Sequence, residues 1–293
     1  MSVSGIVNIG GVVRNLTGEG YVNINGVLKP FATGKFNIGG VLVDGVPVVS
    51  AILNDNSWKV IRGISDAGQA ANYWNVGDRK AVALSGTVGS LSLSGTYYCY
   101  IIGFDHNSSR EGSNRIHFQF GYTALSGGVH IAFVDSAYNT SMESGTWFNM
   151  NNSVNTADCW NSCAMRRNIM PMFKSAMPSE LQSVLKTVTK YTYDGSGVTS
   201  TTDGVFLLAE YEIFGATTYA IGDEYAYQNQ YAYYSAGNSA LKYAHSSTNL
   251  AVSCWLRSLQ YYRWGRFCSV YKDGTSGWAS SIISYGLAPA FCV

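Results

Sequence analysis

A short stretch near the end of the sequence combines aromatic rings with guanidinium groups. The strands predicted at residues 254–258 and 267–274 must be joined by a reversal of the chain. In that reversal lie Tyr261, Tyr262, Arg263, Trp264 and Arg266. Flat rings next to Arg suit stacking on a sugar or docking against a protein, whereas a core role is harder to arrange there. Trp278, in the following loop, is placed to join the same surface. We therefore predict a ligand-binding or partner-binding contact made by Tyr261, Tyr262, Arg263, Trp264, Arg266 and Trp278.

The sequence carries no recognisable catalytic or metal-binding pattern. The histidines show no metal-ligand spacing, and no Gly-x-Ser-x-Gly elbow occurs. Cys159 and Cys163 are four apart on a predicted helix, but no second Cys or His pair stands near them. Four acidic residues lie beside glycines in loops, without the fixed spacing of a Ca²⁺ site, and are interpreted as solvated turn residues: Asp203, Asp223, Glu224 and Asp273. We predict no catalytic residues, no metal, no cofactor and no enzymatic activity.

The residues just before the aromatic stretch are predicted to frame the fold. Strand alternation places Trp255 and Arg257 on one face and Leu256 on the other. We expect Arg257 to be buried and paired with Glu210 or Glu212.

Composition narrows the classes of protein. Of 293 residues only 13% are charged and the net charge is +1, so no field attracts nucleic acid or anionic lipid. The first residues lack the features of a signal peptide, and no apolar window approaches a membrane span. We expect a soluble protein made in the cytoplasm. The six cysteines are too few for a disulfide scaffold: Cys99, Cys159, Cys163, Cys254, Cys268 and Cys292.

A short repeat occupies residues 5–45. Val-Asn-Ile-Gly-Gly-Val at 7–12 recurs as Val-Asn-Ile-Asn-Gly-Val at 22–27 and as Phe-Asn-Ile-Gly-Gly-Val at 36–41. Each copy is an alternating strand that ends in a Gly-Gly or Asn-Gly pair, which predicts a hairpin. One copy cannot bury its apolar face alone. We predict that residues 1–50 form an attachment or oligomerisation module; the alternative is a plain β-meander of the main domain.

Residues 51–293 are predicted to form one globular domain. Strand patterns run from Trp58 to Val134, beginning at residues 58–62, and recur near the end of the chain. The helical signal is concentrated in residues 157–190, where Trp160, Cys163, Arg167 and Met170 share one helix face. Pro171 ends or kinks this helix, and a second helix begins at Pro178. The fold class is α+β: a small N-terminal β-repeat module followed by a mixed, β-rich domain with two helices.

Four segments recur together in a fixed order. They are Tyr-Trp-Asn-Val-Gly-Asp at 73–78, Cys-Trp-Asn-Ser at 159–162, Asp-Gly-Val-Phe-Leu-Leu-Ala-Glu at 203–210, and Trp-Leu-Arg-Ser at 255–258 with Pro-Ala-Phe at 289–291. Together they resemble an uncharacterised domain family of phages and prophages of Gram-positive gut bacteria, often found in virion structural proteins. The resemblance covers about residues 57–293.

The closing segment also resembles, more distantly, the C-type-lectin-like and formylglycine-generating-enzyme-like fold. That likeness implies a lectin-like domain, a scaffold on which phage proteins hold a variable receptor-binding surface. The sequence departs from the family where Gly-Val-Arg-Pro is replaced by Gly-Leu-Ala-Pro at 286–289. It also lacks the closely spaced C-terminal cysteine pair of the formylglycine-generating relatives, so no oxidase residues carry over.

The resemblance implies a virion protein of the tail tip, fibre or capsid surface, located in the virion and forming a homo-oligomer. Residues 1–50 would bind other virion proteins, and the lectin-like domain would bind a host cell-surface glycan or protein. No nucleic-acid partner and no membrane insertion are expected. One alternative is a purely structural decoration or connector protein whose aromatic residues form subunit interfaces. A weaker alternative is a wall-active enzyme.

Overall fold

The computed structural model describes residues 49–138, 147–154, 159–261, 263 and 265–293, together with the backbone of six strands within residues 3–44. Its contacts divide the chain into two units, Met1–Ala51 and Ile52–Val293. Among the described residues, no helix is both long enough and apolar enough to span a membrane.

The N-terminal unit consists of β-hairpins where it is described. Its strands are β1 (Val3–Ile9), β2 (Val12–Gly18), β3 (Tyr21–Ile24), β4 (Val27–Pro30), β5 (Lys35–Ile38) and β6 (Val41–Asp44). They pair antiparallel as β1–β2, β3–β4 and β5–β6. Each pair flanks the Gly-Gly or Asn-Gly dipeptide that predicted it, with Ile9 opposite Val12 in the first. The predicted hairpins are confirmed. The role in attachment or oligomerisation stays a prediction.

The second unit mixes short helices with longer strands. Its helices are α1 (Trp58–Asp66), α2 (Ala70–Tyr73), α3 (Ser108–Glu111), α4 (Met170–Ser175), α5 (Ser179–Gln182), α6 (Glu210–Phe214) and α7 (Ala232–Ser235). Short 3-10 segments occur at Leu53–Asp55 and Gly222–Tyr227, and a π-helical turn at Met165–Ile169. Its strands are β7 (Arg79–Val88), β8 (Leu91–Phe104), β9 (Ile116–Tyr122), β10 (Ile131–Ala132), β11 (Val188–Tyr193), β12 (Val198–Asp203), β13 (Val205–Phe206), β14 (Lys242–Ala244), β15 (Ser247–Val252), β16 (Cys254–Leu259), β17 (Arg266–Val270), β18 (Ser276–Ser280) and β19 (Ala290–Cys292).

An antiparallel sheet of five strands forms the centre of this unit. Its strand order is β13-β19-β9-β8-β7, so β19 lies between strands that precede it by many residues. All seven residues of β9 are buried, and both neighbouring strands pair with it. Phe118 of β9 stacks on Phe291 of β19 with ring centroids 5.3 Å apart, and Trp58 packs edge-on against both. The predicted α+β class is confirmed by this arrangement.

The segment that begins at Trp58 forms helix α1, and its prediction as a strand is wrong. Ser57 caps the helix by accepting a hydrogen bond from the N–H of Val60. Trp58, Ile61 and Ser65 are buried, at positions i, i+3 and i+7 of one helix face. Over five residues the alternation of apolar and polar side chains imitates a strand, and only the longer window shows the helical period.

The helices predicted in residues 157–190 are shorter than expected, and they are not the only two helices of the described chain. In the π-helical turn, the N–H of Met170 donates to the carbonyl of Met165. Pro171 follows directly on this π-helical turn and does not end the helix, which continues as α4. On the predicted face Trp160 is buried, but Arg167 is exposed. The second helix is the single turn α5.

A second sheet, with order β16-β17-β18, carries the aromatic stretch of the sequence. Strands β16 and β17 are antiparallel, with Leu259 opposite Phe267, so the chain reverses between these strands. Strand β18 pairs with β17 in a regular register, with Arg266 opposite Ser280 and Cys268 opposite Trp278. This sheet positions the candidate site.

Candidate functional site

The reversal between β16 and β17 places its described aromatic and cationic residues at the surface. The Tyr261 side chain is 49% exposed, and Arg263 is also exposed. Gly265 has φ +67°, the left-handed conformation that suits glycine at a tight reversal. Tyr262 and Trp264, which were predicted to join the contact surface, lie outside the described residues.

Two residues of the predicted contact meet across the β17–β18 hairpin. The guanidinium carbon of Arg266 lies 4.4 Å from the centre of the Trp278 ring, a cation–π contact between half-buried side chains. The two residues are diagonal neighbours on the same face of the hairpin, because cross-strand partners share a face. The structure thus brings Arg266 and Trp278 together, although Trp278 lies on strand β18 and not in the predicted loop. Their role in binding stays a prediction. Arg263 does not line the cleft described next.

Arg266 and Trp278 line an open surface cleft of about 580 Å³. Other aromatic residues and one carboxylate contribute to its wall, namely Tyr219, Tyr271, Tyr285 and Asp273. Tyr261 reaches the same region through its backbone, because its N–H donates to the carbonyl of Tyr219 at 2.7 Å. We will call this feature the aromatic cleft. Sequence reasoning missed Tyr219 and Tyr271. The Tyr-Lys-Asp-Gly turn at residues 271–274 was the signal that could have identified Tyr271.

A buried carboxylate supports the wall of the aromatic cleft. Glu210, the first residue of α6, accepts hydrogen bonds from the N–H groups of Tyr219 (3.0 Å) and Ala220 (2.6 Å) and from the hydroxyl of Ser276. Burial raises the pKa of Glu210, although these hydrogen bonds oppose the shift. Since Tyr219 and Ser276 both line the cleft, Glu210 fixes two of its sides to each other.

The residues predicted to frame the fold are buried. The indole N–H of Trp255 donates to the carbonyl of Phe148 at 2.9 Å. Arg257 is fully buried, and its Nη2 lies 2.8 Å from Oε1 of Glu212. Of the two partners expected for Arg257, the structure therefore selects Glu212, and Glu210 serves the cleft instead.

Arg257 belongs to a charge-balanced cluster inside the domain. Lys190 Nζ lies 2.7 Å from Glu111 and 3.0 Å from Glu212, and it donates to the Tyr231 hydroxyl at 2.8 Å. Two cations thus face two carboxylates. Burial alone would raise the pKa of Glu212, but Arg257 and Lys190 hold that pKa below its usual range. Such a cluster orders the segments it joins, and removing one member would leave an uncompensated buried charge.

The same cluster contains three side chains that could ligate a metal. His106, Glu111 and Glu212 offer ligand atoms within 4.8 Å of one another. Burial lowers the pKa of His106 to about 3, so its imidazole is neutral. However, Lys190 and Arg257 already neutralise both carboxylates, and Lys190 Nζ occupies the space between them. A divalent cation would have to displace it. These contacts fit an internal ion network better than a metal site.

Two of the four acidic residues interpreted as solvated are buried, so that interpretation is wrong for them. Asp203 accepts from the Trp160 indole at 3.0 Å and from Arg166 Nε at 2.7 Å. Glu224 accepts from the N–H of Tyr193 at 2.8 Å and from the Ser258 hydroxyl at 2.7 Å. Burial raises the pKa of Glu224 to about 7. The hydrogen-bond partners of Asp203 and Glu224 are distant in sequence, so the composition of the local loops does not predict that these residues are buried. The other two, Asp223 and Asp273, are exposed.

Of the two histidines in strand-like segments, His117 is buried and His130 is half-buried. His117 is fully buried, and its Nδ1 lies 3.1 Å from the Tyr231 hydroxyl and 3.2 Å from Cys292 Sγ. His130 Nε2 bonds the Tyr233 hydroxyl at 2.9 Å. All six cysteines are buried. Burial raises the pKa of the Cys254 and Cys292 thiols to about 12, which disfavours reactive thiolates.

Fold and surface together define a mixed α+β domain with an aromatic cleft beside a terminal hairpin sheet. Residues 138–293 match a family described as a domain of unknown function, DUF6273, and the chain belongs to that family. The match includes every residue of the aromatic cleft and excludes the 73–78 segment of the resemblance. No curated protein and no solved structure matches the chain.

Proposed function

We propose that this protein is a non-enzymatic recognition component of a phage virion, on the tail tip, fibre or capsid surface. Its DUF6273 domain binds a molecule of the host cell surface in the aromatic cleft. The observation that carries the proposal is the meeting of Arg266 and Trp278, two residues of the predicted contact, in one open cleft. The virion setting rests on the resemblance in residues 57–293, and the lectin-like character of the domain rests on the more distant likeness of its closing segment.

The chemistry of the cleft favours binding over reaction. Aromatic rings next to a guanidinium group, such as the half-buried Trp278 beside Arg266, are features of recognition surfaces. Among the described residues that line the cleft, the only carboxylate is that of Asp273, at the exposed turn between β17 and β18. Glycoside hydrolysis generally uses two carboxyl groups that flank the bond to be cleaved. A recognition role needs no such pair, and weak single contacts gain strength when many copies act on one particle.

Cell binding by the full-length protein tests the proposal. Fluorescently labelled protein would be applied to a panel of Gram-positive gut bacteria, and bound protein would be measured by flow cytometry. We expect binding to at least one strain and a loss on the order of tenfold in the Trp278→Ala variant, because the removed ring also releases Arg266. Trp147, which is 41% exposed and does not line the cleft, provides the matched Trp147→Ala control.

Two results would contradict this function. One is the absence of binding to every strain by the folded wild-type protein. The other is unchanged cell binding in Trp278→Ala together with a failure of that variant to be incorporated into particles. That second pattern identifies the structural alternative, in which aromatic residues form subunit interfaces.

A further inference from the structure

We propose that the aromatic cleft binds a neutral saccharide, with one sugar ring stacked on Tyr271 and its hydroxyl groups bound by Asp273. This inference rests on the proposed recognition function and specifies the chemical class of its ligand. It assigns the central contact to Tyr271, outside the aromatic stretch of residues 261–266.

Tyr271 is built as a platform at the end of the β17–β18 hairpin. Its N–H donates to the carbonyl of Thr275 at 2.7 Å, and its carbonyl accepts from Gly274 at 2.8 Å, so its backbone is held in a tight turn. The ring packs over Gly277, where an added Cβ would overlap the ring atoms. The side chain nevertheless remains 41% exposed. One side of the ring is therefore supported by strand β18, and the exposed part is available to the apolar face of a sugar.

The polar groups of the cleft are suited to hydroxyls. The Asp273 carboxylate accepts hydrogen bonds from the N–H of Thr275 at 3.0 Å and from its hydroxyl at 2.6 Å. These bonds lower the pKa of Asp273 and keep it ionised as an acceptor. A sugar hydroxyl can donate to this carboxylate. Arg266 shares with Trp278 the face of the hairpin opposite the Tyr271 ring, so its donors would bind a different sugar unit of the same oligosaccharide.

The charge of the cleft favours a neutral ligand. One cation and one anion, Arg266 and Asp273, are the charged residues among those that line it. An acidic polysaccharide would meet the Asp273 carboxylate without a surplus of positive charge to offset it. The chain as a whole has a net charge of +1, so no general attraction for polyanions compensates.

The cleft is also preorganised and of suitable size. Glu210 accepts hydrogen bonds from Tyr219 and from Ser276, which both line the cleft. These bonds fix the positions of both residues before a ligand binds. A volume of about 580 Å³ lies within the range of small-molecule pockets and accommodates a short oligosaccharide segment. Rigid walls reduce the entropy lost on binding, which matters for a ligand that offers mostly hydroxyl contacts.

The experiment uses the full-length protein and a glycan array with three classes of probe. These are neutral oligosaccharides of hexoses and N-acetylhexosamines, sialylated glycans, and sulfated glycans. Dissociation constants for array positives would be measured by titration calorimetry. We expect binding to at least one neutral oligosaccharide and a loss of at least about tenfold in Tyr271→Ala. Tyr271→Phe, which keeps the ring, should lose about threefold at most. Trp147→Ala should match the wild type.

Gly277→Ala tests the platform itself. Its added Cβ displaces the Tyr271 ring without removing it, so we expect weakened binding. In the double variant Tyr271→Ala/Gly277→Ala, the loss should equal that of Tyr271→Ala alone, because no ring remains to be displaced. Additive losses would show that Gly277 acts through the fold in general, and the platform would be rejected.

The remaining outcomes separate this inference from the function on which it rests. Binding of acidic glycans alone, or of neutral glycans with full strength in Tyr271→Ala, overturns the inference. If cells bind the wild type and not Tyr271→Ala, but no glycan binds and protease treatment of the cells abolishes binding, the ligand is a protein. The recognition function then stands and the saccharide is rejected. If the folded wild type binds neither cells nor glycans, both fail.

Discussion

The pKa values of carboxyl groups inside this domain depend on burial and on the charges beside them. Glu224 is fully buried, and its carboxylate is surrounded by the backbone of Tyr193, the hydroxyl of Ser258 and the amide of Gln228. Hydrogen bonds favour the ionised form, but loss of hydration outweighs them and raises the pKa to about 7. Glu212 shows the opposite balance, because Arg257 and Lys190 supply full positive charges. Neighbouring cations, and not burial alone, decide which carboxyl groups are ionised inside the domain.

The raised pKa of Glu224 predicts that this residue destabilises the folded state in a pH-dependent way. Ionising a carboxyl group whose pKa is near 4.5 unfolded and about 7 folded is harder in the folded state. The penalty is absent below about pH 4.5 and fully present above about pH 7, where it approaches about 3 kcal/mol. Glu224→Gln removes it. We expect the stability of this variant relative to wild type, measured by urea unfolding, to rise by up to about 3 kcal/mol between pH 4.5 and pH 8.

The exposed Glu180 provides a control for that measurement. Because Glu180 is exposed, Glu180→Gln should change the free energy of unfolding by about 0.5 kcal/mol or less. A stability difference between Glu224→Gln and wild type that did not vary with pH would show that Glu224 does not titrate in this range.

At the scale of the element, the hairpin β17–β18 carries most of the aromatic cleft. Arg266 and Trp278 lie on its strands, and Tyr271 and Asp273 lie at its turn. Most residues that line the cleft therefore belong to one hairpin, and Glu210 on α6 holds that hairpin through its bond to Ser276. Changes in the turn would alter the ligand contact without disturbing the five-stranded sheet.

Strand β19 has the opposite role, because it closes the main sheet between β13 and β9. Phe291 at its centre is fully buried against Phe118 and Trp58. We expect Phe291→Ala to lower the free energy of unfolding by about 3–5 kcal/mol, because it leaves a cavity in the core. Tyr225→Ala, at a side chain 58% exposed, should change it by about 0.5 kcal/mol or less. Equal effects in chemical denaturation would contradict the central position of β19.

At the scale of the molecule, the division into Met1–Ala51 and Ile52–Val293 separates two predicted roles. The second unit contains its own buried core, whereas each N-terminal hairpin is too small to bury one. We expect a protein lacking residues 1–51 to fold with a cooperative thermal transition and to be monomeric in light scattering. The full-length protein should be a homo-oligomer.

Two findings would contradict this prediction. An unfolded truncated protein would show that the second unit depends on the first. A truncated protein with the same oligomeric state as the full chain would place the subunit contacts in the second unit, and would favour the alternative that residues 1–50 are an ordinary β-meander.

The features that could be predicted from sequence depend on neighbours along the chain. Gly-Gly and Asn-Gly pairs between alternating segments predicted the N-terminal hairpins, because two-residue turns require those residues. The mixed α+β class followed from local periodicity. The placement of Arg266 and Trp278 on a shared surface followed from their positions around one hairpin.

Only the tertiary structure decided which distant groups meet. It assigned Glu212 to Arg257 and Glu210 to the cleft, although the two carboxylates are two residues apart. It buried Asp203 and Glu224 beside partners that local composition does not reveal, and it placed Tyr219 opposite the β17–β18 hairpin. Burial and charge pairing depend on the whole packed chain, so these properties are absent from any short window of sequence. The reversal at residues 261–266 was predictable from sequence, but the cleft beside it was not.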